Sequence, residues 1–179
     1  MRRRHPPLPQ LWLMTDERMG EALWEALERL PAGSGVVFRH YALPLAERCA
    51  LFARIARVAR RRRLVLLRAG SARLGRSEAG THGTKRRERG LYTRPAHSRR
   101  EAIAAIRAGA DAVFVSPLFA TRSHPGARTL GTVRFGLLIR GLDAPVIALG
   151  GMDAGRAASL WQTGVYGWSA IDAWTPGAS

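Results

Sequence analysis

Eight short apolar runs, spaced by turn residues and amphipathic stretches, most limit what this chain can become. They fall at Leu11–Thr15, Val36–Tyr41, Leu64–Leu67, Ala79–His82, Gly90–Thr93, Asp111–Ser116, Pro145–Leu149 and Tyr166–Ile171. Each is of strand length, and Ala79–His82 carries the weakest signal. Between them lie helical patterns. Glu17–Leu30 repeats apolar residues at Met19, Ala22, Leu23, Ala26, Leu27 and Leu30, with Asp16 as N-cap. Leu45–Arg61 places Cys49, Phe52, Ile55, Ala56 and Ala59 on one face. Ser98–Ala108 opens with Ser98 and Glu101 at capping-box spacing and ends at Gly109. Further helices are expected near Thr132–Arg140 and from the Asp153 cap to about Gln162, with Gly164 as the stop.

Apolar strands alternating with amphipathic helices imply parallel strands covered by helices. A count of eight points to a closed TIM-type (β/α)8 barrel, with an open doubly wound sheet as the alternative. The chain has 179 residues. That is short for such a barrel, for which about 250 is typical. The shortening is expected in the degenerate segment 68–89, which is rich in charge and glycine and lacks periodicity. The expected organisation is a disordered basic N-terminus over 1–10, one barrel domain over 11–174 and a tail over 175–179.

Apolar runs reach only about six residues, and a spanning helix needs about 20, so a soluble, cytoplasmic protein without membrane contact is expected. Cys49 is the single cysteine, which rules out an intrachain disulfide or a cysteine cage; a buried apolar role is expected for it. The formal net charge is +16, carried almost wholly by arginine. One cluster runs from Arg54 through Arg57 and Arg60 to Arg63, and a second from Lys85 through Arg89 to Arg100. Such clusters serve either as solvated helix-end faces or as a surface for nucleic acid. The first cluster has no interleaved aromatics for base stacking.

In a barrel, ligands bind at the C-terminal ends of the strands. Thr15 and Asp16, Arg39, His82, His97, Ser116 with its loop to His124, Gly150-Gly151 and Asp172 fall there. Gly150-Gly151 follows a strand and precedes a helix, where backbone N–H groups and the helix dipole favour an anion. Thr121, Arg122, Ser123 and His124 add hydroxyls and cationic donors from the neighbouring loop. His124 and His97 are candidate general acid–base groups near neutral pH.

Several segments, in order, carry a family resemblance: Leu11-Trp12-Leu13-Met14-Thr15-Asp16, Gly109-Ala110-Asp111-Ala112-Val113, Ser116-Pro117-Leu118-Phe119-Ala120-Thr121, Ala144–Met152 and Gly164-Val165-Tyr166-Gly167. Together they resemble the thiamine phosphate synthase and thiazole tautomerase superfamily, which is built on a TIM barrel. The resemblance implies condensation of hydroxymethylpyrimidine diphosphate with thiazole phosphate, releasing pyrophosphate. By motif match, Arg39 would contact diphosphate, Thr121 and Ser123 would hold phosphate, and Gly150 and Gly151 would bind thiazole phosphate through N–H groups.

The departures are as specific as the matches. Family glutamine and lysine positions flanking Arg39 are Val37 and Tyr41 here. The family's magnesium aspartate at the end of the third strand matches Arg68, and near its second aspartate Glu88 is the only acid among four cations. His124 replaces a loop lysine, Asp172 replaces a phosphate-binding serine, and Pro117 stands where the tautomerase branch has its histidine. Magnesium takes carboxylate oxygens, so no metal or other cofactor is evident: either arginines such as Arg39 and Arg68 neutralise diphosphate through bidentate contacts, or the synthase activity is lost in a degenerate relative that binds a thiazole-phosphate-like ligand. The partner implied is a phosphorylated small molecule, in a monomer or a homo-oligomer. The alternatives are a non-catalytic module for a phosphorylated ligand or nucleic acid, and a tautomerase-type isomerase on the thiazole phosphate.

Overall fold

The computed structural model of the chain describes residues 7–121, 126 and 128–174. Eight parallel strands close into a barrel in sequence order: β1 (Leu11–Met14), β2 (Gly35–Phe38), β3 (Val65–Ala69), β4 (Gly80–His82), β5 (Leu91–Ala96), β6 (Ala112–Val115), β7 (Val146–Leu149) and β8 (Gly167–Ala170). β8 pairs back onto β1 through Leu11↔Trp168, Trp12↔Ser169 and Leu13↔Ala170. Closure removes both sheet edges, so every strand has a hydrogen-bonded neighbour on each side. The alternative of an open sheet is thereby set aside.

Alternate residues of each strand divide between an inner and an outer core. Trp12, Met14, Val37, Val65, Leu67, Leu91, Ala112, Phe114 and Ile147 pack together inside. Trp12 fills the axis: its ring lies where any Cβ on Gly35 would have to sit, 2.0 Å from Trp12 Cε3, and it meets Phe114 edge-on at 5.3 Å. The outward residues pack against α1 (Ala22–Arg29), α2 (Leu45–Arg62), α3 (Arg99–Arg107), α4 (Gly131–Ile139) and α5 (Ala154–Leu160). Caps follow the sequence. Ser98 accepts from the Glu101 N–H, and Asp153 from the Arg156 N–H. Asp16 caps a single 3-10 turn, Glu17–Met19, and α1 starts after it, so the expected Glu17–Leu30 helix is interrupted at Gly20. Cys49 is half-buried against the α1–α2 core rather than fully buried. At the base, the Tyr166 hydroxyl donates to the Leu8 carbonyl and Trp12 Nε1 to the Pro9 carbonyl, so the chain is bonded to the barrel from Leu8 onward. Among the described residues no helix is long and apolar enough to cross a membrane.

The expected shortening lies where the sequence lost its periodicity. Residues 70–79 and 83–90 link β3 to β4 and β4 to β5 without a helix. Arg68 stands in their place. β3 puts Val65, Leu67 and Ala69 inward, so Leu66 and Arg68 face outward. The Arg68 side chain is fully buried. Its Nε donates to Glu78 at 3.0 Å, its Nη2 to Glu88 at 2.7 Å and its Nη1 to the Gly70 carbonyl. One guanidinium thus ties both helix-free connections to the barrel wall.

Removing one partner of a buried ion set leaves the others uncompensated. Arg68→Met is expected to lower unfolding free energy by about 3 kcal/mol, read as a shift in the urea midpoint. Adding Glu78→Gln and Glu88→Gln is expected to restore most of that loss, because neutral partners no longer need the cation.

Candidate functional site

The C-terminal mouth of the barrel has two chemically distinct sides. On the first, β1 and β2 end in Thr15, Asp16 and Arg39. Arg39 donates from Nε to the Thr15 carbonyl at 2.8 Å, from Nη2 to Asp16 Oδ2 at 2.7 Å and from its backbone N–H to Thr15 Oγ1 at 3.1 Å. Thr15 Oγ1 also lies 2.9 Å from His40 Nδ1. Asp16 receives Arg18 on its other oxygen at 2.6 Å. Burial pushes the Asp16 carboxyl up, but hydrogen bonds from Arg18 and the charge of Arg39 outweigh it and hold the group below its ordinary value. Asp16 is therefore ionised at neutral pH and keeps Arg39 in place.

Arg48, on the first turns of α2, is buried. Its guanidinium donates to the carbonyls of Arg39, at 3.1 and 2.8 Å, and of Ala69, at 2.8 Å. It lies 5.1 Å from the Tyr41 ring centre and 5.7 Å from that of Phe38. It thus pins the ends of β2 and β3 and fixes the backbone that carries Arg39. No sequence signal separates Arg48 from its neighbours; only its position one turn before Phe52 on the core face hints at burial.

On the second side, the loop after β6 seats against the turn after β7. Leu118 N–H donates to the Leu149 carbonyl at 2.9 Å, and Phe119 N–H to the Gly150 carbonyl at 3.0 Å. Both glycines have left-handed φ, +100° and +60°. A Cβ on Gly151 would stand 2.4 Å from the Ala120 carbonyl oxygen and 2.9 Å from Phe119 Cβ. Glycine is required there by conformation and by contact alike. The loop is closed at its far end, where Leu130 and Gly131 N–H groups donate to the Pro117 and Leu118 carbonyls. Arg156, which sequence reasoning passed over, bonds the Gly151 carbonyl and places its guanidinium 5.0 Å from the Phe119 ring centre. Asp153 already occupies the start of α5, accepting from Arg156 N–H at 2.8 Å.

Strand order sets these two sides across from each other, since β2 and β6 stand half a turn apart in an eight-strand ring. The other candidates distribute around the rim. Thr121 is half-buried at the loop. His97 donates from Nδ1 to the Ser116 carbonyl at 2.8 Å, because a carbonyl only accepts; in the neutral ring this leaves Nε2 as the acceptor. Asp172 opens a 3-10 turn directly after β8. Ser123 and His124 lie outside the described residues. Arg68 is the correction: it faces the outer wall and its donors are taken by Glu78, Glu88 and Gly70, so it does not reach the mouth. The inward β3 residue nearest the mouth is Ala69.

Two buried polar groups complete the floor. Ser169 pairs with Trp12 and Leu149 in register and so points inward; its Oγ is buried without a hydrogen-bond partner among the described residues. His82 bonds Thr93 Oγ1 at 2.9 Å and meets Phe114 edge-on at 4.9 Å. Burial, with a smaller contribution from Arg39, lowers its pKa to about 3. His82 is neutral at neutral pH and serves as a fixed dipole in the wall. Among the described residues no three His, Cys, Asp or Glu side chains converge, and the Asp16 carboxylate at the mouth is engaged by two arginines.

Residues 86–174 match the sequence pattern described as thiamine monophosphate synthase. Thiamine-phosphate synthase of Geobacillus thermodenitrificans is 38% identical over 81 residues, covering 44% of this chain and 36% of that protein. The Chloroflexus aurantiacus enzyme of the same name is 33% identical over 79 residues, 44% of this chain and 37% of its own. The barrel superposes on thiamine phosphate pyrophosphorylase from Pyrococcus furiosus with a TM-score of 0.74, at 20% identity and covering 90% and 85% of the two chains. The chain thus resembles the thiamine phosphate synthase superfamily in sequence over residues 86–174 and in fold over most of its length. The chain spans well under half the length of the curated synthases it matches, and the residues that match the family pattern include the loop after β6 and the Gly150-Gly151 turn but not Arg39. The fold alone selects no chemistry, since FabK of Thermotoga maritima also superposes, with a TM-score of 0.56 over 93% of this chain and 58% of its own.

Three substitutions probe the site and the elements that support it. Gly151→Ala is expected to lower stability by more than about 2 kcal/mol, combining left-handed strain with the clash at Ala120. Gly136→Ala, whose Cβ would meet only ordinary contacts at 3.5–3.8 Å from Thr163, is expected to be neutral or stabilising by up to about 1 kcal/mol in thermal unfolding. For His82, the unfolded state takes up a proton below pH 6.5 while the folded state stays neutral to about pH 3, so stability falls on acidification through that window. From pH 6.5 to 5 the loss is about 1.5 kcal/mol, and His82→Asn is expected to flatten that slope in urea titrations.

Proposed function

We propose that the mouth binds two phosphorylated heteroaromatic molecules and joins them as a thiamine phosphate synthase does. One observation carries this reading: a cation held at the end of β2 faces, across the mouth, the wall formed by the loop after β6 and Gly150-Gly151, whose motifs resemble those that imply phosphate binding. Thiazole phosphate sits at that wall, held by the N–H groups of Gly150 and Gly151 and by the Thr121 and Ser123 hydroxyls, with His124 as a cationic donor in the same loop. His97 and Asp172 border the rim. The pyrimidine diphosphate extends toward Arg39.

The chemistry asks little of the protein beyond placement and charge. The bond from the pyrimidine methylene to the diphosphate oxygen breaks, and its electron pair leaves with pyrophosphate. The thiazole nitrogen lone pair then forms the new C–N bond. Arg39 stabilises the charge that develops on the leaving group, in a position pre-set by Asp16, Thr15 and Arg48.

Incubation with both substrates, with and without magnesium, followed by detection of thiamine phosphate, tests the reaction. Product is expected in both conditions, and Arg39→Met is expected to abolish it while leaving the stabilisation by thiazole phosphate alone in place. At 100 times its dissociation constant that ligand adds about 2.7 kcal/mol to stability, readable as a rise in melting temperature. Failure of thiazole phosphate to stabilise the protein, together with no product, overturns the proposal.

A further inference from the structure

We propose that the helix-free flank of the barrel is a docking groove for an acidic amphipathic helix of a partner protein. A groove of about 380 Å³ runs between α2 and residues 77–79, beside the connection that carries no helix of its own. Its floor is small and apolar, from Ala56, Ala59, Leu64, Leu66 and Ala79, with Ala53 at the lip. Arg57 and Arg60, one helical turn apart, form its rim.

The arginines of α2 divide by face. Those turned toward α1 are engaged: Arg54 lies 4.5 Å from the Trp24 ring centre, and Arg61 and Arg62 pair with Glu28. Those turned toward the groove are not. Arg57 and Arg60, with Arg73 and Arg76 of the adjoining connection, are exposed, and among the described residues no carboxylate pairs with them. The two nearby acids, Glu78 and Glu88, are consumed by the buried Arg68. The rim therefore presents uncompensated positive charge over an apolar strip.

That combination matches a helix with a small apolar stripe flanked by carboxylates. Alanines at i, i+3 and i+6 on α2 allow a second helix to approach closely, and the groove lies where a barrel helix would otherwise cover β3 and β4. A second copy of this chain is disfavoured by its own charge of +16. A nucleic-acid backbone gains nothing from the apolar floor, and no aromatic ring lines the groove to stack a base.

The test is fluorescence anisotropy with three probes. One is a labelled helical peptide of about 18 residues with an alanine–leucine stripe flanked by glutamates, long enough to form helix on binding. The second is its scrambled sequence, and the third a single-stranded oligonucleotide of equal charge. The helical peptide is expected to bind at about 50 mM salt, at least about tenfold more tightly than either control. Arg57→Glu with Arg60→Glu is expected to weaken it by about tenfold or more, and Ala53→Trp, which blocks the lip without changing charge, by a similar factor. Both variants alter exposed positions and are expected to keep the wild-type melting temperature. Equal binding of the scrambled peptide or the oligonucleotide, insensitivity to Ala53→Trp, or no binding of the helical peptide overturns the proposal.

Discussion

The buried guanidinium of Arg68 is what lets so short a chain close a barrel. Parallel strands need cover on their outer faces, and that cover is ordinarily helical. Between β3 and β4, and between β4 and β5, the chain supplies irregular connections instead. Irregular backbone buries few apolar groups, so it needs another tether. Arg68 supplies one with directional bonds to Glu78, Glu88 and the Gly70 carbonyl. The arrangement depends on every donor being matched, since a buried ion set with a missing member is worse than none.

A second arginine, Arg48, does for the mouth what Arg68 does for the wall. Both accept burial because backbone carbonyls or carboxylates meet their donors. Planar guanidinium, with its forked donors, suits this role better than a lysine ammonium would. The high arginine content is thus partly structural rather than a uniform surface charge. The exposed remainder is spread over several faces, with Arg57, Arg60, Arg73 and Arg76 gathered at the flank without helices.

Much of the fold was legible in the sequence. The eight strands, the Ser98 and Asp153 caps and the irregular 68–89 segment all follow from periodicity and turn chemistry. What was not legible was the side of the sheet on which a polar residue stands. Reading β3 as Leu64–Leu67 instead of Val65–Ala69 left Arg68 just beyond the strand end and aimed at the mouth. The true register adds two residues and turns it outward, because direction alternates at each position. Ser169 was passed over for a related reason. Its partner Trp12 lies far away in sequence, and only barrel closure brings the two into register. At the mouth, the Ser116–Ala120 loop and Gly150-Gly151 were readable as a pair of segments. Their direct contact was not, because it depends on a φ of +60° at Gly151 that lets the Ala120 carbonyl approach.

Trp12 carries a consequence for traffic through the molecule. With its indole wedged over Gly35 and against Phe114, the axis is plugged, and the two ends of the barrel are separate compartments. The mouth then has a single doorway. Two molecules that meet there both enter from that face, and a leaving group must exit by it.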